Sequence, residues 1–538
     1  MTKGVKRIIA IVCIIAVLVG IITCVGAALS VNDSLFKNNT PTFMKLDAGG
    51  QARKIAGAIT SKDDYESYII EIPENGALTI CLEHEKVTDS GKSGWVVTLY
   101  KLLPAEVGNE YKEIAYFESF WADTTSDWDE IGVSAGTYCI MVTPGLYFLP
   151  SEYTLSTIFT TTDNYEKEPN DTPQTASPIA VGYGKKGNTS NRQEGTDVDW
   201  YYFDIDIDSC VNISFTHPDG TFPVVGWTVT LINEKGEKVT QFTSRLTDLI
   251  IKTGKLGLRA GRYHISVEAQ TDTADEYTLL VGSEKALNFE FEMNDTPETA
   301  VGLPQGIKVS GSLADRLLSL DKDYYKFTLD GDGYIDLTFT HELLEGDKNG
   351  WNIRLLKQLD DGSYYEIVRR ISKWNVKTTE LKSYGLPAGE YYLLIDGDSV
   401  SYNSETYSVM WSFTEIADYE KEPNSTKLNC QTIGFGKKYT GAIISSDVTY
   451  DEDYYRFNLV TGTTVCLEFY HRSLAGSDVC WNISIIDDKG NVVREMTSAL
   501  NEPLNSTGTF QLPAGVYFIK VETGMYGSEV PYQIKLIG

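Results

Sequence analysis

Beyond residue 44 the chain is written in short runs whose apolar residues fall at every second position, as in Val211, Ile213 and Phe215 or Tyr263, Ile265 and Val267. A period of two sends alternate side chains to opposite faces of a strand, so each run predicts a half-buried β-strand. Turn residues punctuate the runs, with Gly136, Gly261, Gly389 and Gly515 standing where the chain must reverse tightly. No helical period is sustained outside the amino-terminal segment. Short strands, frequent turns and antiparallel-type alternation predict an all-β chain of sandwich modules.

The runs recur as four copies of one pattern, each about 120 residues long, too long for a solenoid unit and right for an independent sandwich. The predicted modules span residues 44–160, 163–283, 287–416 and 417–538. The last three open alike: Glu166, Glu168, Asn170, Asp171 and Thr172; then Glu290, Glu292, Asn294, Asp295 and Thr296; then Glu420, Glu422, Asn424, Ser425 and Thr426. The first copy lacks this element. An acidic pair then runs into an aromatic strand, as Asp197, Asp199, Trp200 and Tyr201, as Asp321, Asp323, Tyr324 and Tyr325, and as Asp451, Asp453, Tyr454 and Tyr455. The first copy aligns there as Asp64, Glu66 and Tyr68. A strand next ends at His84, His217, His341 or His471, and a tryptophan opens another at Trp95, Trp227, Trp351 or Trp481. Each copy closes on Ala-Gly-x-Tyr, ending at Tyr138, Tyr263, Tyr391 or Tyr517, followed by a last strand around Tyr153, Tyr277, Tyr407 or Tyr532.

The amino terminus differs from all of this. Lys3, Lys6 and Arg7 precede an uncharged apolar run from Ile8 to Leu29, long enough to cross a bilayer, which predicts an apolar helix in residues 1–30 acting as a signal anchor. Gly26 and Ala28 offer a small-x-small cleavage pattern, so a cleaved signal peptide is the alternative. Thr23 sits where a lipoprotein signal at Cys24 wants Gly or Ala. Both readings place the modules on the extracellular side of the plasma membrane or secrete them.

Charge narrows the partners. Lys plus Arg number 46 against 75 Asp plus Glu, and the net charge of -29 repels nucleic acid and anionic lipid surfaces. Of eight cysteines, Cys13 and Cys24 belong to the apolar run, and the third module has none, so no common disulfide staples the copies. A Cys81 to Cys139 bridge stays open in an oxidising compartment.

These motifs resemble the bacterial pre-peptidase C-terminal domain family, whose members open with Glu-x-Asn-Asp-Thr, continue with an Asp-x-Asp-aromatic strand and end with Ala-Gly-x-Tyr. The likeness covers almost everything after the leader, weakly in the first copy and well in the next three. It implies jelly-roll-like β-sandwiches that usually serve as accessory modules of secreted enzymes. The collagen-binding domains of clostridial collagenases form a calcium-dependent branch, in which similar Glu, Asn and Asp residues of the opening segment bind the ion.

The residues themselves suggest the same chemistry. In an extended segment Glu166, Glu168 and Asn170 project to one side with Asp171 adjacent, and hard oxygen ligands converging from a segment and a loop suit calcium. The candidate ligands are Glu166, Glu168, Asn170, Asp171, Asp197 and Asp199; Glu290, Glu292, Asn294, Asp295, Asp321 and Asp323; and Glu420, Glu422, Asn424, Asp451 and Asp453. Ser425 removes one charged ligand from the last set. The alternative is an Asx-type turn with solvated acids. The recurrent His and Trp read as strand-end packing, because lone histidines separated by whole domains cannot jointly hold zinc.

No nucleophile elbow, phosphate loop or zinc-binding His pair is present, and His341-Glu342-Leu-Leu-Glu345 carries Glu where a zincin motif needs its second His. The expectation is a non-catalytic extracellular binding or scaffold protein presenting tandem sandwiches to a polymeric ligand, whether matrix protein, glycan or cell wall. A structural stalk or accessory partner of separate secreted hydrolases is the second reading. Short linkers predict an elongated, semi-rigid array.

Overall fold

The computed structural model describes residues 40–103, 111–189, 197–271, 275–313, 321–397, 403–447 and 450–538. Its elements are strands, with a 3-10 turn at Pro297–Thr299. Among the described residues no helix is long and apolar enough to cross a membrane; the apolar helix expected in residues 1–30 lies outside them. The chain divides into two compact units, one ending its continuous run at Asp206 and taking in Asn212–Lys252 and Ala260–Ser283, the other holding Ile207–Val211, Thr253–Arg259 and Glu284–Gly538.

The first module shows the plan. Its strands are β1 (Thr42–Met44), β2 (Ile55–Ile59), β3 (Glu66–Ile72), β4 (Gly76–Glu83), β5 (Ser93–Leu102), β6 (Tyr111–Phe120), β7 (Thr125–Val133), β8 (Gly136–Pro144) and β9 (Ser151–Thr161). They form two facing sheets, ordered β1-β3-β8-β5-β6 and β2-β9-β4-β7. Inward positions obey the alternation expected: Leu78, Ile80 and Leu82 from β4 meet Tyr138, Ile140 and Val142 from β8, all buried. Each later module repeats the two orders, as in Gln431–Thr432, Glu452–Leu459, Gly515–Thr523, Val479–Asp487 and Val492–Ala499 for the first sheet of the fourth.

One detail departs from the antiparallel expectation. The short first strand of every module pairs in parallel, Thr42 with Tyr68, Ser177 with Tyr201, Val301 with Tyr325 and Gln431 with Tyr455. It enters as a sheet edge running alongside the aromatic strand instead of hairpinning onto it, and the longer strands of each sandwich pair antiparallel.

Trp95, Trp227, Trp351 and Trp481 are fully buried, each with a histidine ring 4.0, 4.4, 4.3 and 4.4 Å from it. The histidine Nδ1 atoms lie within 2.9 Å of the carbonyl that follows each of them, and Nε2 meets Ser119, Ser244, Ser498 or the Lys373 carbonyl. Both ring nitrogens are thus engaged, so the repeated pair fastens a strand end. Truncating one such tryptophan to Ala costs about 3–5 kcal/mol.

All six cysteines of the described residues are free thiols. Cys81 lies on β4 and Cys139 on β8, in different sheets, and Cys139 packs with Ile69 on the outer face of its own. Burial pushes the Cys139 thiol up to about 12.

Candidate metal centre

Each of the last three modules opens with an extended segment that adds to the edge of its second sheet. Glu166 N–H donates to the Lys186 carbonyl at 2.9 Å, and Lys186 N–H donates to the Asn164 carbonyl at 2.7 Å. The same short parallel bridge joins Tyr165 to Lys186, Phe289 to Ser310 and Tyr419 to Thr440. An extended backbone turns alternate side chains inward, and Glu166, Glu168 and Asn170 are fully buried. Asp197 and Asp199, also buried, arrive with the strand Val198–Ile205.

Carboxylate oxygens of Glu166, Glu168 and Asp199 lie within 4.8 Å of one another, and those of Glu168, Asp171 and Asp197 form a second such group. Glu420, Glu422 and Asp453 repeat the first group in the last module, where Asp451 is buried and accepts the Ile444 N–H at 2.6 Å. The third module buries Glu290, Asn294, Asp321 and Asp323, but Glu292 is half-buried and Asp295 is exposed, accepting the Lys322 N–H at 3.3 Å. Among the described residues no carboxylate triplet of that closeness forms there. Asp171 carries an ion pair with Lys112, from the module before it. Ser425, in the corresponding place, donates to Asp451 at 3.4 Å.

A tyrosine pair holds each cluster from within. Tyr201 and Tyr277 hydroxyls are 2.7 Å apart; Tyr201 donates to Glu166 Oε2 at 2.7 Å and Tyr277 to Asp199 Oδ2 at 2.5 Å. In the third module Tyr325 and Tyr407 are 2.7 Å apart and Tyr407 donates to Asp323; in the fourth Tyr455 and Tyr532 are 2.8 Å apart, donating to Glu420 and Asp453. The remaining oxygen of the first glutamate takes a backbone N–H from Asn188, Ser312 or Ala442.

What these donors leave over is informative. Asn170 Oδ1, Asp199 Oδ1, Asn294 Oδ1, Asp323 Oδ1, Asn424 Oδ1, Asp453 Oδ1 and Glu422 Oε1 are buried without a hydrogen-bond partner. A buried polar atom left unpaired costs about 1–3 kcal/mol, more when charged, and interiors rarely tolerate it. Here the asparagine and the second aspartate are left open in all three modules. An all-oxygen, carboxylate-rich set without His or Cys suits a hard cation such as calcium and not zinc or copper. Burial, then the neighbouring acids, hold Asp199, Glu290, Asp323, Glu420, Glu422 and Asp453 well above the usual carboxylate range, and burial brings Glu166 to about 7.

The clusters are sealed by a strand from the preceding repeat. Glu168 N–H donates to the Gly132 carbonyl at 3.2 Å, Glu292 N–H to Gly257 at 2.9 Å and Glu422 N–H to Gly385 at 3.0 Å. A Cβ on these glycines would stand 2.3, 1.7 and 2.5 Å from the carbonyl oxygens of Glu166, Glu290 and Glu420. Sequence reasoning missed them, although the signal was present: each stands four residues before the turn glycine, as Gly132 before Gly136, Gly257 before Gly261 and Gly385 before Gly389, while the fourth copy carries Gln511.

In the first module, where the described residues include no opening segment, a different side chain meets the tyrosine pair. Glu66, one methylene longer than the aligned aspartates, reaches the tyrosine pair: Tyr68 donates to Glu66 Oε2 at 2.5 Å, Tyr153 at 3.1 Å, and Ala58 N–H to Oε1 at 3.3 Å. One carboxylate thus replaces two.

Among known proteins, no family model and no curated protein matches this chain. Solved structures do. The pre-peptidase C-terminal domain of collagenase from Bacillus anthracis is 16% identical, covering 20% of this chain and 93% of its own, with a TM-score of 0.17. The triple jelly roll of an archaeal virus turret is 11% identical over 68% of this chain and 82% of its own, TM-score 0.18. A CBM22-1-CBM22-2 tandem domain from Paenibacillus barcinonensis is 10% identical over 39% of this chain and 80% of its own, TM-score 0.15.

Proposed function

We propose that this chain is a non-catalytic extracellular binding or scaffold protein whose tandem sandwiches engage a polymeric ligand, with calcium holding the opening segments of the last three modules. The observation that carries the binding reading is the exposed apolar residues on the loops at the His–Trp end of the modules. In the first module Leu146, Tyr147 and Leu149 are exposed on the loop after β8, with Tyr147 edge-on to Trp121 and Lys92 over its ring. Met525 and Tyr526 are exposed at the matching place in the fourth, held by the same backbone bonds: Gly145 to Gly94 and Tyr147 to Ser93, against Gly524 to Cys480 and Tyr526 to Val479. In the second module Phe222, Val224 and Leu249 are exposed on two loops that Gly220 and Leu246 hydrogen-bond together, and Ile250 is exposed at the start of the strand that follows. Apolar side chains gathered on loops of an otherwise acidic surface mark a contact site, and tandem copies multiply a weak contact.

The chain is tested against collagens, glycans and cell-wall polymers immobilised in turn, with calcium and with chelator. Retention that falls when Tyr147, Phe222 and Tyr526 are changed to Ser supports the reading, while silence on every surface overturns it in favour of a stalk. The stalk reading has its own support in the second unit, where Ala442 and Ile444 of the fourth module pack into the core of the third.

A further inference from the structure

At one side of the third sandwich its two outermost strands meet, Tyr364–Lys373 at the edge of the first sheet and Thr378–Leu386 at the edge of the second. Ala442 and Ile444 of the fourth module join the core there, with Val368, Leu381 and Tyr384. Two arms of the fourth module grip these strands. The opening arm takes Thr378–Leu386: the Tyr419 hydroxyl donates to the Ser383 carbonyl at 2.8 Å, Glu422 N–H donates to Gly385, and Lys421 pairs with Asp332. The other arm takes Tyr364–Lys373. Asp447 N–H donates to the Arg369 carbonyl at 3.2 Å, Ile371 N–H donates to Asp447 Oδ2 at 2.6 Å, and the Arg370 guanidinium donates to the Ser445 carbonyl at 2.5 Å and to Glu529 at 2.6 Å. Each arm is tied to the acidic cluster. Glu420, Glu422 and Asn424 lie on the first. The second is fastened to Asp451, whose Oδ2 accepts the Ile444 N–H at 2.6 Å and whose own N–H donates to Ser445 Oγ at 3.2 Å. Tyr384 of the third module faces the same acids: burial, and then the charges of Glu422, Asp451, Glu420 and Asp453, hold its hydroxyl well above the ordinary tyrosine range.

We infer that an ion in the fourth cluster is a clamp on the third module: by joining the carboxylates of the two arms it holds Ala442 and Ile444 in the third core and keeps that sandwich closed. The inference rests on the calcium reading proposed above and adds that this site governs a neighbour's stability as well as its own. Without the ion, like charges on the two arms repel each other and pull against both grips. The oxygens that an ion would join are already in place, since Asn424 Oδ1, Glu422 Oε1 and Asp453 Oδ1 are buried without a hydrogen-bond partner. Coupling is reciprocal, so the third module's grip must raise the fourth site's affinity by the factor with which the ion tightens the grip. Arg370 is the positioning residue for that effect. It fastens Ser445, Ser445 and Ile444 hold Asp451, and its own partners Ser445 and Glu529 lie outside the ligand set.

The test is hydrogen exchange of the full chain in detergent, with calcium and with chelator, in an Asp323→Asn background that silences the third module's own cluster. Calcium should slow exchange across residues 364–373 and 378–386 about tenfold, a coupling of ordinary size. Adding Asp453→Asn to that background should remove the effect. Calcium titration of Arg370→Gln in the otherwise unchanged chain should find one tight site weakened about tenfold and the other unmoved. Should Asp323→Asn fail to fold, the Arg370→Gln titration decides alone. If calcium binds and the two strands exchange alike with and without it, or if Arg370→Gln binds as tightly as the parent, the clamp is overturned and the calcium reading stands. A chain that takes up no calcium overturns both.

Discussion

A carboxylate withdrawn from water beside others of its charge lowers its energy by taking up a proton or a cation, and the two compete for the same oxygens. Glu166 shows the proton side, its buried carboxyl brought to about 7 from 4.5. Between those values the ion-free folded chain holds a proton that the unfolded chain has released, so its stability falls as pH rises through that window. Calcium bound at the proposed site would reverse the sense, since it needs the ionised form. Calorimetry from pH 5 to 7.5 should show the first unit's melting temperature declining in calcium-free buffer and holding level or rising with calcium. The same competition predicts that Asp453→Asn removes a repelling charge, raises the fourth module's melting temperature in chelator, and removes its rise with calcium. Calcium at about a hundred times its dissociation constant should otherwise add roughly 2.7 kcal/mol to a module. A variant that melts lower without calcium and still responds to it would contradict the assignment.

At the level of strands and segments, the clusters depend on a close backbone approach. Gly385 lies on the strand Thr378–Leu386, and any side chain there meets the Glu420 backbone and its Cγ. Gly385→Val should cost about 1–3 kcal/mol by overpacking and should weaken calcium binding in the fourth module, as titration calorimetry would register. Gln511→Gly, at the matching but exposed position, should leave both nearly unchanged. These residues also show what a sequence can convey. The strands, the inward alternation and the common face of Glu166, Glu168 and Asn170 follow from spacing, because the period dictates them, whereas their meeting with Asp199 depends on the segment folding back along the sheet edge. The tyrosine pair did not follow, since Tyr201 and Tyr277 are distant in sequence and meet only across the sandwich. Nor did the equivalence of Glu66 to Glu166, which depends on a single methylene reaching across from another strand. The sealing glycines were in view but looked like turn residues until the neighbouring segment lay against them.

For the whole chain, the question is how many equal sites three similar sequences make. Read along the sequence, the second and third modules are the complete sets and the fourth, with Ser425, is the weakest. The geometry supports a different order under the proposed calcium reading. In the second module Asp171 is already neutralised by Lys112, so the aspartate missing from the fourth is worth less than a free ligand would be. The fourth keeps the inner triplet of Glu420, Glu422 and Asp453, whereas the third leaves Glu292 half-buried and Asp295 in solvent. Affinity for calcium rises with the number of charged ligands held close and rigid, so the second and fourth modules should bind alike and the third more weakly. Titration of the chelator-treated chain should therefore resolve two tight sites and one weaker one, and Asp323→Asn should abolish only the weaker. Three identical sites, or loss of a tight one in that variant, would show that the third cluster closes around its ion as the others do, and that the exposure of Asp295 does not govern its strength.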